Sequence, residues 1–408
     1  MVSLEKLQQY SLSLSLIGLL LPMKISTILV GVFLAISLFS ALKKKNLKSI
    51  SKENFFFAGF FLLFPIALLY SSDVDYGLKV VERNVVWFLI PLLVPFSLQM
   101  TKKQLYRAFL AFAIAVHAAA LLLIVVACWN FIKTNDPLVF YYDELITVLN
   151  FHPVYFSVYL LFSLLILFEG TLKKYIKLPL YVRALIVAFD VVVLVLLSSK
   201  IVLASFLLVL GILIFRSYRS KKSILTALLA IVVTLTVVMQ FSETRKRIND
   251  SLFSSWELLD KETFKYNDPF TGITLRLITW KFVMKKFIEK ENVVLGLGTG
   301  DAKEFINNVY RERKMDDGGY INYNMHNQYL EYALKFGVLG LLYFFSILFL
   351  SFKKAIRTKN GLYFSFLLIF CIFSITESNL EVQRGIVFFV LINSVLYFFS
   401  DKKLPVNE

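Results

Sequence analysis

Charged side chains are scarce in this sequence. Asp, Glu, Lys and Arg make up only 18% of its 408 residues, whereas 58% of the residues are hydrophobic. A soluble protein of this length needs many more polar side chains to cover its surface. The composition therefore excludes a soluble domain and predicts an all-α, polytopic membrane protein.

Cysteine is also scarce, and its placement is uninformative about metal or redox chemistry. Cys128 and Cys371 fall inside apolar runs and match no metal-ligand spacing. No acidic triad with metal-ligand spacing is evident in the predicted outer loops. We therefore expect neither a metal nor a cofactor, and we expect both cysteines to pack as small apolar residues.

Long apolar runs recur along the chain. A transmembrane helix needs roughly 20 mostly apolar residues, and clusters of charge separate one run from the next. Twelve spans are predicted, at residues 8–23, 25–42, 54–70, 85–100, 106–131, 153–169, 181–198, 201–215, 223–241, 330–351, 361–377 and 385–400.

One polar interval interrupts these spans, from Ser242 to about Asn327. It divides the chain into three predicted parts. Residues 1–241 form a bundle of about nine transmembrane helices, and residues 242–329 form a large loop or lid. Residues 330–408 form about three further transmembrane helices and a short tail.

Basic residues mark one side of the predicted bundle. Most Lys and Arg residues of the short loops lie in five loops on that side, at residues 43–52, 102–107, 173–183, 216–222 and 353–359. Because basic loops stay in the cytoplasm, both termini should be cytoplasmic and the long polar interval should be extracytoplasmic. The net charge of +16 sits in these juxtamembrane clusters, so we do not expect a nucleic-acid partner.

The polar interval contains a predicted amphipathic helix. Apolar residues recur there at spacings of three and four, and Arg276 is the only charged residue among them. The stripe comprises Arg276, Leu277, Trp280, Val283, Met284, Phe287 and Ile288. Such a helix lies on the membrane surface or packs over the bundle. Arg276 either snorkels toward water or holds a diphosphate or a sugar carboxylate with its planar fork.

A glycine-rich turn follows this helix, from Gly296 to Gly300. Backbone amides at a helix start attract anions, so a phosphate cradle is one interpretation. No strand precedes the turn and the loop should lie outside the cytoplasm, which favours a plain glycine turn. Asp301 followed by Glu304 predicts a helix N-cap with its capping-box partner.

The three histidines can be weighed one by one. His117 lies deep in the fifth predicted span, where it is expected to pack between helices, with the intramembrane Asp190 as a candidate partner. His152 and His326 lie at the outer entrances of the sixth and tenth spans. Either histidine alone is commonly a solvated cap, but two at one depth, with Arg276 also outside, indicate a shared site. An imidazole pKa of roughly 6.5 suits a general base near neutrality.

Two further cations lie at predicted outer ends of spans. Lys200 occupies a very short turn between the seventh and eighth spans, and Arg83 begins the fourth. Each is either an interfacial anchor or a group that offsets the negative charge of a diphosphate leaving group.

A histidine, aspartate and arginine set also suits a proton-coupled transporter or flippase, and Asp190 supports that alternative. However, nine spans and three around one loop do not suggest the related halves common in transporters. A large outer loop also fits the handling of a bulky extracytoplasmic substrate better than the passage of a small one.

Four short motifs follow one another in a fairly specific order. They are Arg276-Leu-Ile-Thr-Trp280, Leu295-Gly-Leu-Gly-Thr-Gly300, Met325-His-Asn-Gln-Tyr-Leu330 and Gly337-Val-Leu-Gly340. In these motifs and in its architecture the sequence resembles the O-antigen ligase and polymerase superfamily of bacterial envelope glycosyltransferases. The resemblance is architectural over most of the chain and lies at the level of motifs from about Thr271 to Tyr343.

The resemblance implies an enzyme of the bacterial inner membrane, surrounded by membrane lipids. Such enzymes take a glycan from an undecaprenyl-diphosphate carrier at the periplasmic face and pass it to an acceptor hydroxyl. The first predicted acceptor is the lipid A core, as in ligases. Another repeat unit, as in polymerases, or a protein is the alternative.

The resemblance also maps roles onto residues. The family's proposed base maps onto His326 and its loop arginine onto Arg276. A second family arginine falls at Lys200, where lysine keeps the charge but loses the bidentate fork, so Arg83 is an alternative source of that fork. His152, in a His-Pro-Val-Tyr segment, and Asn327 complete the predicted substrate-binding residues of a metal-independent transferase.

Overall fold

The computed structural model describes residues 3–44, 50–97, 100–173, 175–197, 200–217, 255–289 and 293–399, with single residues at 236, 245 and 249. Within these ranges the regular elements are α-helices and short 3-10 helices, and no strand occurs there. The predicted all-α class is confirmed for this part of the chain.

The helices before the polar interval are α1 (Leu4–Gly18), α2 (Met23–Lys44), α3 (Lys52–Gly59), α4 (Leu63–Leu68), α5 (Val74–Asn84), α6 (Val86–Leu93), α7 (Lys102–Thr134), α8 (Tyr142–Ile146), α9 (Pro153–Leu172), α10 (Leu180–Leu196) and α11 (Lys200–Ser217). The later helices are α12 (Gly272–Glu289), α13 (Ala302–Glu312), α14 (Gln328–Arg357), α15 (Gly361–Thr376) and α16 (Gln383–Phe399).

Helices occupy the predicted spans wherever the structure describes them, and the span predicted at 223–241 lies outside the described residues. Among the described helices, four are long and apolar enough to cross a membrane by length and composition: α2, α7, α9 and α14. Helices α15 and α16 are apolar but shorter. The described residues therefore contain several candidate membrane spans, and the total of twelve stays a prediction.

The third and fourth predicted spans are interrupted. The third consists of α3, a 3-10 turn at Phe60–Leu62 and α4. The fourth contains Pro91 within α6 and ends in a 3-10 turn at Val94–Ser97. Proline cannot donate a backbone hydrogen bond, so Pro95 in this turn leaves the carbonyl four residues earlier, that of Pro91, without its helical donor. The Asn54 side chain reaches across from α3 and donates to the Pro91 carbonyl at 2.7 Å, which ties the two segments together.

Aromatic side chains hold the centre of the bundle. Phe60 lies 4.8 Å from the Trp87 ring and 5.3 Å from the Tyr332 ring, measured between centroids. Phe370 and Phe389 stack at 3.9 Å. Such pairs add geometric preference to the burial of large apolar surfaces. They join α6 and the α3–α4 segment to α14, and α15 to α16.

The polar interval packs around an apolar core of its own. Helix α12 places Ile278, Phe282 and Phe287 against α13 residues such as Phe305 and Tyr310. The predicted apolar stripe was wrong in part, because the buried face also includes Thr274 and Thr279 whereas Ile288 is 62% exposed. Contacts with α13 and the turn at Trp256–Asp260 set this rotation of the helix.

Asp301 does not cap its own helix as predicted. Its carboxylate accepts the backbone N–H groups of Ser72 and Asp73 at 2.8–2.9 Å, and it makes no side-chain cap bond to α13. Glu304 pairs with Arg311 instead of closing a capping box. The capping prediction was wrong because a long-range contact satisfies the carboxylate, and this contact fastens the polar interval to the start of α5.

Helix α14 breaks near its beginning, at Gly337, where φ is 63° and ψ is −164°. The backbone on either side bonds to the glycine-rich segment instead of continuing the helix. The Val338 N–H donates to the Val293 carbonyl at 2.9 Å, and the Leu297 N–H donates to the Leu334 carbonyl at 2.7 Å. These bonds satisfy groups that a break within an apolar helix would otherwise leave unpaired.

Close backbone contact explains the glycines at this crossing. A Cβ atom at Gly337 would lie 2.2 Å from the Val294 carbonyl oxygen, and one at Gly296 would lie 2.6 Å from the Lys335 carbonyl. Both glycines also have positive φ, which side chains disfavour. The plain glycine turn is therefore confirmed, because its glycines serve backbone packing.

Replacing Gly337 by alanine should destabilise the protein, through both the left-handed backbone and the collision with Val294. We expect a loss of at least about 2 kcal/mol, measured as a lower thermal midpoint in detergent. Gly319→Ala is the matched control, since Gly319 also has positive φ but a Cβ atom added there would meet no atom of the described residues within 4 Å; it should lose only about 1 kcal/mol. Equal losses in the two variants would contradict close packing at the break.

Candidate functional site

His326 occupies a tightly held turn before α14. Its backbone φ is 45°, and its N–H donates to the Asn324 side-chain oxygen at 2.9 Å. The preceding Met325 is fully buried in the core of the polar interval, and its N–H donates to Glu331 at 2.8 Å. Bonds from both sides of the turn therefore fix where the imidazole lies.

Asn327 caps α14 directly after this histidine. Its side-chain oxygen accepts the N–H groups of Tyr329 at 3.0 Å and Leu330 at 3.1 Å, as expected for an N-cap asparagine. Its own N–H donates to the Ser378 hydroxyl at 3.1 Å. The carboxamide oxygen is thus used in positioning the turn, and the predicted contact of Asn327 with substrate stays a prediction.

Arg276 reaches the same region from the first turn of α12. Trp280, one helical turn later, donates from its indole N–H to the Met325 carbonyl at 2.6 Å and so docks α12 on the histidine turn. The Arg276 Nε donates to the Thr376 carbonyl at 3.0 Å, and Nη2 donates to Glu377 Oε1 at 2.8 Å. Nη1 donates back to the Gly272 carbonyl at 2.7 Å.

Glu377 joins these two predicted residues. While its Oε1 atom accepts from Arg276, its Oε2 atom lies 3.3 Å from His326 Nδ1. The Glu377 side chain is only 9% exposed, against 25% for Arg276 and 31% for His326. The predicted convergence of the guanidinium and the imidazole therefore occurs in the structure, through one carboxylate.

Glu377 stays ionised in this setting. Burial raises the pKa of its carboxyl, but the hydrogen bond with His326 and the positive charge of Arg276 outweigh burial and lower the pKa below its ordinary value of 4.5. A carboxylate beside Nδ1 favours the tautomer in which Nδ1 carries the proton. The Nε2 atom then keeps its lone pair.

His152 lies at the edge of the same cluster, immediately before α9. Desolvation lowers the pKa of its imidazole, and the charges of His326 and Arg276 lower it further, whereas Glu377 and Asp143 raise it. The net lowering favours a neutral ring near neutral pH. These charges act on His152 without a direct contact, and its part in a shared site stays a prediction.

Arg83 faces a different carboxylate. Its Nη2 atom lies 3.6 Å from Glu381 Oε2, and Lys335 forms an ion pair with the same oxygen. Glu381 belongs to the 3-10 turn Asn379–Glu381, which directly follows the segment holding Glu377. Arg83 is therefore near the His326 cluster along this turn but is not part of it.

Residues 184–345 match a family model described as O-antigen ligase. The matched segment holds both Arg276 and His326, whose side chains meet at Glu377. The predicted resemblance to the O-antigen ligase superfamily is therefore confirmed over residues 184–345. No curated protein matches it. The match and the apolar helices together indicate a multi-pass membrane protein of glycosyltransferase type.

Two further candidate residues lie outside the matched segment and were missed by sequence reasoning. Glu377 and Glu381 are the acidic residues of the short connection between α15 and α16. Acidic residues contribute little to the rule that orients membrane spans, so they were not used to predict the orientation. Two carboxylates in a short loop between apolar spans could nevertheless have indicated candidate functional residues.

The remaining predictions concern Lys200, the pairing of His117 with Asp190, and metal binding. Lys200 is the first residue of α11, and its side chain lies outside the described part. His117 does contact Asp190, with Nε2 lying 3.1 Å from Oδ1, between α7 and α10. No group of three or more His, Cys, Asp or Glu side chains that could hold a metal occurs among the described residues. Metal independence stays a prediction.

The variant Glu377→Gln should destabilise the protein by about 1–3 kcal/mol, because it removes the charged partner that Arg276 and His326 share. Since the folded-state pKa of Glu377 is depressed, its contribution is fully present above the ordinary pKa of 4.5 and is lost as pH falls through the lower folded value. Thermal midpoints in detergent across acidic pH measure this difference.

Glu82→Gln is the matched control for this comparison, because it removes an exposed carboxylate from α5. It should leave the thermal midpoint almost unchanged across the same pH range. A Glu377→Gln loss that persisted unchanged at the lowest pH would show that packing, and not the ionised carboxylate, holds Arg276 and His326 together.

Proposed function

We propose that this protein transfers a glycan from an undecaprenyl-diphosphate carrier to an acceptor hydroxyl at the periplasmic face of a bacterial inner membrane. The observation that supports the proposal is the meeting of Arg276 and His326 on the Glu377 carboxylate. Ligation to the lipid A core is the first acceptor reaction proposed, and polymerisation or protein glycosylation is the alternative within the same chemistry.

His326 is the proposed general base. With its Nδ1 proton donated to Glu377, the neutral ring presents Nε2 to the acceptor hydroxyl. Nε2 removes the hydroxyl proton as the acceptor oxygen bonds to the anomeric carbon of the donor sugar. The bond from that carbon to the carrier diphosphate breaks, and its electron pair leaves with the diphosphate. Glu377 stabilises the imidazolium that forms, as a carboxylate does for other catalytic histidines.

Arg276 is the proposed diphosphate ligand. A guanidinium has five N–H donors, and three protein acceptors are bonded to this one. Donors on its terminal nitrogens remain for phosphate oxygens, and charge-assisted bonds of this kind stabilise a departing anion. Because Glu377 holds the guanidinium in place before substrate binds, little ordering is required during the reaction.

Lys200 is proposed as a second diphosphate contact, because the directions of the helices indicate a position at the same end of the bundle as His152. Helix α9 begins at Pro153, directly after His152, and α10 returns toward the end of the bundle from which α9 starts. Since α11 begins at Lys200 after a short connection, this residue should lie near the same end as His152. His152, Arg83 and Asn327 are proposed to line the substrate path around the base.

A proton-coupled transporter is the second candidate, because His117 and Asp190 form a contact between apolar helices. Charged or titratable groups at such positions often serve proton transfer. The contact does not involve Arg276, His326 or Glu377. Transport and glycosyl transfer would therefore depend on different histidines, which a pair of variants can separate.

Substitution His326→Ala should lower glycan transfer roughly 100-fold or more, since a general base commonly contributes that much. The assay uses purified protein in detergent with a defined lipid-linked donor and acceptor, where only a transferase yields a new glycosidic product. His117→Gln is the matched control and should retain transfer. In cells, loss of chain attachment in His326→Ala indicates a ligase, and single-repeat glycans indicate a polymerase; full activity of His326→Ala would remove the proposed base.

If Lys200 contacts the diphosphate, Lys200→Arg should have a higher glycan-transfer activity than Lys200→Ala. Lys200→Arg should preserve or raise transfer, because arginine keeps the charge and adds a bidentate fork, whereas Lys200→Ala should lower it through weaker donor binding. Initial rates at varied donor concentration measure both effects. If Lys200→Arg loses as much activity as Lys200→Ala, Lys200 does not contact the diphosphate.

A further inference from the structure

A small charged cavity lies beside the His326 cluster. Its volume is about 160 Å³, and α5, α13, α14 and the connection to α16 contribute to its wall. A cavity of roughly this size accommodates a six-membered ring. One sugar residue or one phosphoryl group is therefore the scale of ligand that it suits.

The cavity shares a wall with the proposed transfer site. Asn324, which lines it, accepts the backbone N–H of His326. Tyr323 lines it as well, and its ring packs edge-to-face against the His326 imidazole at 6.0 Å between centroids. A ligand in the cavity would therefore lie next to the turn that carries the proposed base.

Positive charge exceeds negative charge around the cavity. Arg83, Lys303 and Lys335 line it, against Glu331 and Glu381. Lys335 is only 3% exposed and forms an ion pair with Glu381, the same carboxylate that lies near Arg83. Glu331 is engaged by the Met325 N–H. The residual positive charge suits an anionic ligand.

Arg83 supplies the most specific feature of the cavity. Its Nε and Nη2 atoms are shielded from solvent and make no hydrogen bond to the described residues, because the ion-paired Glu381 Oε2 stays 3.6 Å from Nη2. These two nitrogens form an edge of the guanidinium that binds a carboxylate or phosphate through two parallel bonds. Leaving such donors buried and unbonded is costly, and an oxyanion bound to this edge would remove the cost.

We infer that Arg83 and Lys335 form an oxyanion subsite that holds an acidic group of the glycan substrate beside the bond undergoing transfer. The inference rests on the proposed function for the identity of the substrate, and it narrows that substrate to one with an anionic group. A carboxylate on the sugar and a phosphate of the carrier share this chemistry. In this subsite, Arg83 would bind the carboxylate or phosphate through two parallel hydrogen bonds, and Lys335 would add positive charge.

Binding of defined probes to the full-length protein in detergent tests the subsite. Glucuronate represents a sugar carboxylate, inorganic pyrophosphate represents the carrier, and glucose is the uncharged counterpart of glucuronate. In calorimetric titrations, Arg83→Gln should bind at least one anionic probe with a dissociation constant roughly tenfold or more above that of the unmodified protein. Arg83→Lys should fall between them, because it keeps the charge and loses the fork.

Lys79→Gln is the matched control, since it removes an exposed cation from the same helix, outside the cavity. It should bind both anions as the unmodified protein does. A loss confined to glucuronate assigns the subsite to a sugar acid, and a loss confined to pyrophosphate assigns it to the carrier. The inference is overturned if neither anion binds more tightly than glucose, or if both Arg83 variants bind as the unmodified protein does.

His326→Ala separates this inference from the proposed function. It should keep probe binding because its side chain does not line the cavity, while losing transfer. Probe binding that depends on Arg83 alongside full transfer by His326→Ala would support the subsite and reject the proposed base. If Arg83→Gln lowers the thermal midpoint so far that it unfolds, Arg83→Lys decides the question, because it keeps the charge that faces Glu381.

Discussion

The buried carboxylate of Glu377 is the constraint on which the site depends. A carboxylate with so little exposure requires charged partners, and the loss of either partner leaves an uncompensated group. Arg276 arrives from α12 and His326 from the turn before α14, whereas Glu377 follows α15. One ionised group therefore fixes three separate parts of the chain and also sets the proton position on the imidazole.

The break at Gly337 makes this arrangement compatible with an apolar helix. The turns of α14 before the break carry Glu331, which holds Met325, and Lys335, which pairs with Glu381. The long apolar stretch begins after the break. Because the segment around Val293 satisfies the interrupted backbone, the chain can present two charged side chains and then continue as a candidate membrane span. The same crossing anchors the polar interval against the bundle.

Sequence reasoning grouped residues of the candidate site better than it predicted their contacts. His326 and Arg276 were found because histidines were few and because a charge stood alone in an apolar stripe. Their common partner could not be found in that way, since Glu377 lies 101 residues from Arg276 along the chain. The capping prediction for Asp301 was wrong for a related reason. Its carboxylate accepts backbone N–H groups that are distant along the chain. Helix positions depend on local composition and were predictable, whereas helix rotation and long-range pairing depend on packing.

Cations at this end of the bundle require an explanation, because basic residues of membrane proteins concentrate on the cytoplasmic side. The predicted extracytoplasmic end nevertheless brings together Arg276, Arg83 and Lys335. Glu377 and Glu381 each compensate part of this charge, so the cations are held in place without being neutralised completely. Partial compensation avoids the cost of unpaired burial and leaves attraction for the anionic substrate that we propose, which full pairing would abolish.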